Sequence, residues 1–176
     1  RDKFPCWVND TKTDYATCLS NDFDSLLSCN LLKKIKGYDI GYFYSFSNIY
    51  KTKNALPDII GVDISFTEGR CWDNHVTMAN PNDYVNLMSA NPNSILSISR
   101  SNYNKKYAGS TALLIYSYYA IPLPDTLEGK RILLAIDSTF KGYYNCGGRY
   151  KHITIDWLRQ LQLDELIDVL DKSQAK

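Results

Sequence analysis

The chain contains no CxxC pair, no apolar stretch near membrane-spanning length, no internal repeat and no excess of either charge. Each absence removes a class of function. Its five cysteines (Cys6, Cys18, Cys29, Cys71 and Cys146) are odd in number and scattered. That argues against a disulfide scaffold or a zinc ribbon and points to a reducing, cytoplasmic setting. Lys and Arg number 20 against 19 for Asp and Glu, so nothing global advertises nucleic acid or a membrane, and any basic surface has to be local. With no long apolar run no membrane partner is expected, and "RDKFPCWVND" is not built like a signal peptide. No initiator Met heads the sequence, as expected of a processed or trimmed chain. Alanine is scarce beside Asn, Tyr, Lys and Ile, which fits an AT-rich coding source and carries no functional message. A length of 176 residues suits one domain with a proper core.

What is present is punctuated like an α/β domain. Residues 14–20, "DYATCLS", predict a short buried strand. "DSLLSCNLLKKIKG" then places Leu26, Leu27, Leu31, Leu32 and Ile35 near helical spacing, with Gly37 as the stop. "DIGYFYSF" (39–46) and "PDIIGVDIS" (57–65) are β-prone, and "GRCWDNHVTM" (69–78) reads as a strand spilling into a loop. "NPNDYVN" and "NPNS" are turn chemistry in a long irregular middle. Ser110 opens a helix, "TALLIYSYYAI", that Pro122 stops, and "KRILLAIDSTF" (130–140) is an apolar run ending in polar residues. "TIDWLRQLQLDELIDVLDK" reads as one amphipathic helix, with Trp157, Leu158, Leu161, Ile167 and Leu170 inward and Asp156 in its first turn. The closing "DKSQAK" reads as a polar, fraying tail. Strands alternating with helices imply an α/β fold with a mainly parallel sheet flanked by helices. In such sheets ligands sit at the carboxyl ends of strands.

Asp22, Asp24, Asp63, Asp137 and the Asp73-Asn74-His75 triplet all fall at the ends of apolar runs. Taken singly, each has a structural explanation: an N-cap for Asp22, Asp24 or Asp137, a turn for Asp63, a hydrogen-bonded side chain for His75. Taken together at the ends of one sheet, several carboxylates would repel one another unless a divalent ion compensates. Oxygen donors with one imidazole suit Mn2+ or Mg2+ rather than zinc, and two such ions about 3.5–4 Å apart hydrolyse phosphodiesters.

In their order along the chain, "CLSNDFDS", "GVDIS", "WDNHV" and "AIDSTF", with "YAGSTALLIYSYY" before the last, resemble the four motifs of the DHH phosphoesterases. That family includes RecJ nucleases, nano-RNases, cyclic dinucleotide hydrolases and family II pyrophosphatases. The resemblance covers residues 14 to 144. It implies Asp22, Asp24, Asp63 and Asp137 as metal ligands, with Asp73 and His75 as the catalytic pair and His75 facing a substrate phosphate. Two positions depart from the pattern, because Cys18 and Asn74 stand where the family places imidazole on metal. Asn74 has an amide oxygen to offer, whereas a Cys18 thiolate is a soft partner for Mn2+; the expectation is weakened affinity or a single ion. Ser25 also replaces the family's small Gly or Ala. The family's C-terminal substrate-binding domain is not expected here, leaving one DHH-like domain over residues 1–176.

Phosphate chemistry needs further cations. Arg100, Lys105 and Lys106 precede Ser110, whose helix N-terminus offers backbone N–H groups to an anion; an ordinary solvated loop is the alternative. Gly147-Gly148-Arg149 reads as a glycine turn or a phosphate-facing one. The aromatic clusters "GYFYSF" and "YSYY" are able to stack bases, although such stripes are more often core. The partner expected from these residues is a nucleotide or a short single-stranded nucleic acid, acted on as a phosphodiester. The alternative is a catalytically impaired DHH-like protein that binds a nucleotide, a protein partner or a second copy of itself.

Overall fold

The computed structural model describes residues 2–12 and 14–174, the side chains of residues 146 and 174 excepted. The Cys146 side chain and the last two residues of the expected tail therefore lie outside the described residues. Two compact units divide the chain, residues 1–106 and residues 107–176.

The first unit is an α/β sheet. Six strands, β1 (Tyr15–Leu19), β2 (Asp39–Tyr44), β3 (Ile49–Lys51), β4 (Asp58–Val62), β5 (Arg70–Trp72) and β6 (Ser89–Ala90), form one sheet in the order β3-β2-β1-β4-β5-β6. All neighbours are parallel except the edge hairpin β2–β3. The mainly parallel sheet expected from the sequence is thus observed. From β1 the chain turns first to β2 on one side and later to β4 on the other, so strand order reverses beside β1. In open α/β sheets such a switch marks the ligand crevice.

Helix α1 (Phe23–Lys36) carries the chain from β1 to β2. Asp22 caps it: in extended backbone, its side chain accepts from the Ser25 N–H at 2.8 Å. Gly37 ends it at φ 74°, a left-handed turn that glycine adopts without a Cβ penalty. Lys33, Lys34 and Lys36 in the last turn complement the helix dipole. The buried face differs from the leucine stripe expected. Ser25, Ser28, Cys29, Leu31 and Leu32 are buried, while Leu26 and Ile35 are exposed. Small side chains on that face let the helix sit close to the sheet, and Ser25 is fixed there by donating to the Val62 carbonyl of β4 at 2.7 Å.

Around Trp72, which is fully buried, Phe4 and Trp7 pack edge-on at 5.7 and 6.2 Å. The "GYFYSF" aromatics are not core, contrary to their base rate. They lie on the edge hairpin, where Phe43 stacks on Tyr50 at 6.3 Å and Phe46, Ile49 and Tyr50 are exposed. An edge strand has a neighbour on one side only, and nothing among the described residues of this unit covers it.

After β6, helix α2 (Pro92–Ile95) completes the part of the unit that bears the site. The second unit is helical: α3 (Thr111–Tyr118), α4 (Leu127–Ala135), α5 (Lys141–Tyr144), α6 (Lys151–Gln160) and α7 (Glu165–Gln174). The single terminal helix expected is two helices. Gln162, at φ 59°, closes α6 with the Leu163 N–H donating to the Leu158 carbonyl, and α7 restarts at Glu165. Asp156 consequently falls inside α6 rather than in a first turn. Residues 127–135 form a helix rather than a strand, so Asp137 follows a helix end. Gly147 and Gly148 lie in a short 3-10 turn at positive φ. Among the described residues no helix is long and apolar enough to cross a membrane.

Candidate metal centre

Three consecutive parallel strands end in register at the same edge. Val62 of β4 pairs with Trp72 of β5, and Trp72 pairs with Ala90 of β6. The next residue on each strand is polar: Asp63, Asp73 and Asn91. The ladder runs one rung past the strands, since the Asp63 N–H donates to Trp72 O at 2.8 Å and the Asp73 N–H reaches Ala90 O at 3.5 Å. Short apolar strands that stop together therefore align three polar side chains along one crevice.

Asp63 and Asp73 are buried, and with exposed His75 they form the candidate cation group. One donor atom from each lies within 4.8 Å of the others. An ion bound at about 2.0–2.6 Å from oxygen donors is able to bridge such a spacing, so the donor set and its geometry fit a hard divalent cation. Asp63 holds φ 58°. That left-handed geometry is uncommon for a side chain other than Gly, Asn or Asp. It turns the chain sharply at the strand end.

Asp73 is 1% exposed, and its carboxylate is fully engaged. It accepts from the Ser65 hydroxyl at 2.7 Å, from Asn91 Nδ2 at 2.8 Å and from the His75 N–H at 3.2 Å, and it pairs with His75 Nδ1 at 2.6 Å. Burying a carboxylate is costly unless its lone pairs are met, and here they are. Asn91 is the organiser. Its amide donates to both Asp73 and the His75 carbonyl at 2.8 Å, while its oxygen caps α2 by accepting from the Asn93 and Ser94 N–H groups. Asn93 in turn donates to the Asn74 carbonyl at 2.6 Å. The His75 side chain is 56% exposed, in contrast to the buried carboxylate it pairs with.

The remaining expected residues are placed as follows. Asp22 is exposed and occupied as the α1 cap, with a second bond from the Ser20 hydroxyl at 3.1 Å. Asp24 is buried and accepts from Ser28 at 3.3 Å. Neither belongs to the Asp63–Asp73–His75 group. Asn74 is buried on the segment between Asp73 and His75. Asp137 is exposed in the second unit, at φ 50°. Cys18 lies buried in β1, where desolvation pushes its thiol up to about 11. It is a neutral thiol at neutral pH and not part of the group. Arg100 is exposed on the rim of a cavity of about 520 Å³ that Tyr103, Val76 and Met78 also line. Lys105 is exposed, and Lys106 donates to the Tyr103 hydroxyl at 2.9 Å over that ring. Ser110 is fully buried and caps α3 through the Leu113 N–H.

Sequence reasoning missed Asn91 and Ser65. Strand β6 is only two residues long, too short for any periodicity to flag the residue after it. The signal within reach was "NPNS", an Asn followed by Pro at the first helical position, which is an N-cap signature. No protein-family model matches the chain, and no curated protein or solved structure matches it.

Proposed function

We propose that the first unit holds one divalent cation, Mn2+ or Mg2+, between Asp63, Asp73 and His75, and that it hydrolyses a phosphodiester as a DHH-like phosphoesterase. The substrate class is a nucleotide, a short oligonucleotide or a single-stranded end. The carrying observation is the convergence of two buried carboxylates and an exposed imidazole, within 4.8 Å, at the carboxyl edge of parallel strands. A cation bound there supplies Lewis acidity toward a phosphoryl oxygen. The protein's own residues do the rest. The bond between Asp73 and His75 Nδ1 fixes the orientation of the imidazole beside Asp63. Asp73 shares its oxygens with Ser65, Asn91 and His75, which supports a single, modestly held ion rather than a pair. The unpaired thiols Cys6, Cys18, Cys29 and Cys71 support a reducing, cytoplasmic setting.

One observation favours a second reading. Asp22 is occupied as a helix cap, and Asp73 and His75 satisfy each other without a cation. A chain that binds a nucleotide or a protein partner without hydrolysing anything has this arrangement too.

Thermal melting in EDTA, Mg2+ and Mn2+, with a parallel assay on a dinucleotide, tests both. A ligand bound only by the folded form raises the melting temperature. The wild type is expected to gain stability with Mn2+, and Asp63→Asn, which keeps the backbone turn, to lose that gain together with hydrolysis. Asp22→Ala is expected to cost about 0.5–2 kcal/mol as a lost cap while keeping the Mn2+ gain. A gain without hydrolysis selects the binding reading; no gain in the wild type removes the cation site.

A further inference from the structure

A cavity of about 180 Å³ opens against Asp73 on the side lined by Ser65, Phe66, Thr67, Thr77 and Tyr84. Liquid water occupies about 30 Å³ per molecule, so the space equals about six waters. That is room for one five- or six-membered ring, well short of the ~300 Å³ at which drug-sized pockets begin. The chemistry of the wall narrows the occupant. No Lys, Arg or His lines it, and its single charge is the Asp73 carboxylate, so an anion is repelled. A cation finds a single carboxylate on this wall, since Asp63 and His75, the other members of the cation group, do not line it. An apolar group would strand hydroxyls. Among the described residues the Thr67 and Thr77 hydroxyls make no hydrogen bond, and Ser65, which donates to Asp73, retains acceptor capacity.

Two aromatic rings complete the wall. Phe66 rests on Gly61 of β4 so closely that a Cβ there would stand 2.8 Å from the ring. Tyr84 is 72% exposed at the mouth. Ring faces beside uncommitted hydroxyls suit a molecule with C–H on its faces and O–H on its rim.

We propose that this cavity is a subsite for an uncharged, polyhydroxylated ring, a sugar, whose attached phosphate lies toward Asp63 and His75. The placement of the phosphate rests on the phosphoesterase reading; the sugar subsite is read without it. Two sources share this chemistry, the ribose of a nucleotide and a free sugar phosphate.

The test is saturation-transfer NMR on the metal-free protein in EDTA, with uridine, methyl riboside and methyl glucoside as probes. Signal is expected on the sugar-ring protons of at least one probe. It should fall at least fivefold in a Thr67→Val/Thr77→Val double variant, whose exposed positions leave the fold intact, and in Gly61→Ala, whose Cβ would meet the Phe66 ring at 2.8 Å and displace it from the wall. Uridine and the riboside binding together assign the source to a nucleotide; the glucoside alone assigns it to a sugar phosphate. No signal from any probe, signal on the uracil protons only, or signal unchanged in the double variant overturns the proposal. Because no metal is present, these outcomes are independent of the Mn2+ melting shift, whose loss bears on the phosphoesterase reading alone.

Discussion

Asn91 ties three things together with one side chain: the buried carboxylate of Asp73, the backbone beside the imidazole, and the start of α2. Its worth can be bracketed from the parts. A lost N-cap costs about 0.5–2 kcal/mol, and a buried acceptor left unmet costs about 1–3 kcal/mol. Asn91→Ala is therefore expected to lower stability by about 2–4 kcal/mol in urea unfolding. Asn91→Asp keeps the cap acceptor but sets two carboxylates against each other at the 2.8 Å contact. It should be destabilised in EDTA and recover more with Mn2+ than the wild type gains. A purely structural Asn91 would give two variants with the same response to the cation.

Among the elements, the break between α6 and α7 is the clearest case of geometry that hydrophobic periodicity does not see. Apolar residues recur densely on both sides of it, and Leu158, Leu163, Leu166, Val169 and Leu170 are all buried. What stops α6 is a left-handed residue, and Gln162 is an unusual choice for that role. A left-handed side-chain residue costs about 1–2 kcal/mol relative to glycine, part of which glycine returns through its freer unfolded state. Gln162→Gly is thus expected to stabilise the second unit by about 1 kcal/mol, read as a raised urea midpoint at unchanged slope. The edge hairpin is a second instance. Its alternating aromatics look like core in sequence, yet strand order, which no local pattern encodes, leaves β3 outermost and Ile49 and Tyr50 exposed.

For the molecule as a whole, the sheet class and α1 were legible because apolar runs, an Asp cap and a stopping glycine act locally. The site was legible at Asp63, Asp73 and His75, which follow strands long enough to recognise. The strand expected before Asp137 is a helix, because an apolar run of that length fits either equally well. Stability against pH follows from groups that the core desolvates. Burial pushes Cys18 up to about 11 and Cys29 and Tyr38 up to about 12. The folded chain keeps these protons where the unfolded chain has begun to lose them. Their stabilisation is full below the ordinary thiol value of 9.0 and is lost as pH rises toward 11 and 12. Lys36, lowered mainly by desolvation, acts in the opposite sense. With Cys71 and Tyr116 also raised by burial, these groups outnumber Lys36, so melting temperature should fall between pH 9 and 11, and Cys29→Ala should flatten that fall.

Asp63 is determined twice, by shape and by charge. Consider a library carrying every amino acid at that codon, sorted by two screens. A screen for folded protein should retain Gly, Asn and Asp, the residues that tolerate φ 58° at low cost. A screen for cation-dependent stability should retain Asp alone. The gap between the two sets measures how much of this residue's identity belongs to the fold and how much to its chemistry.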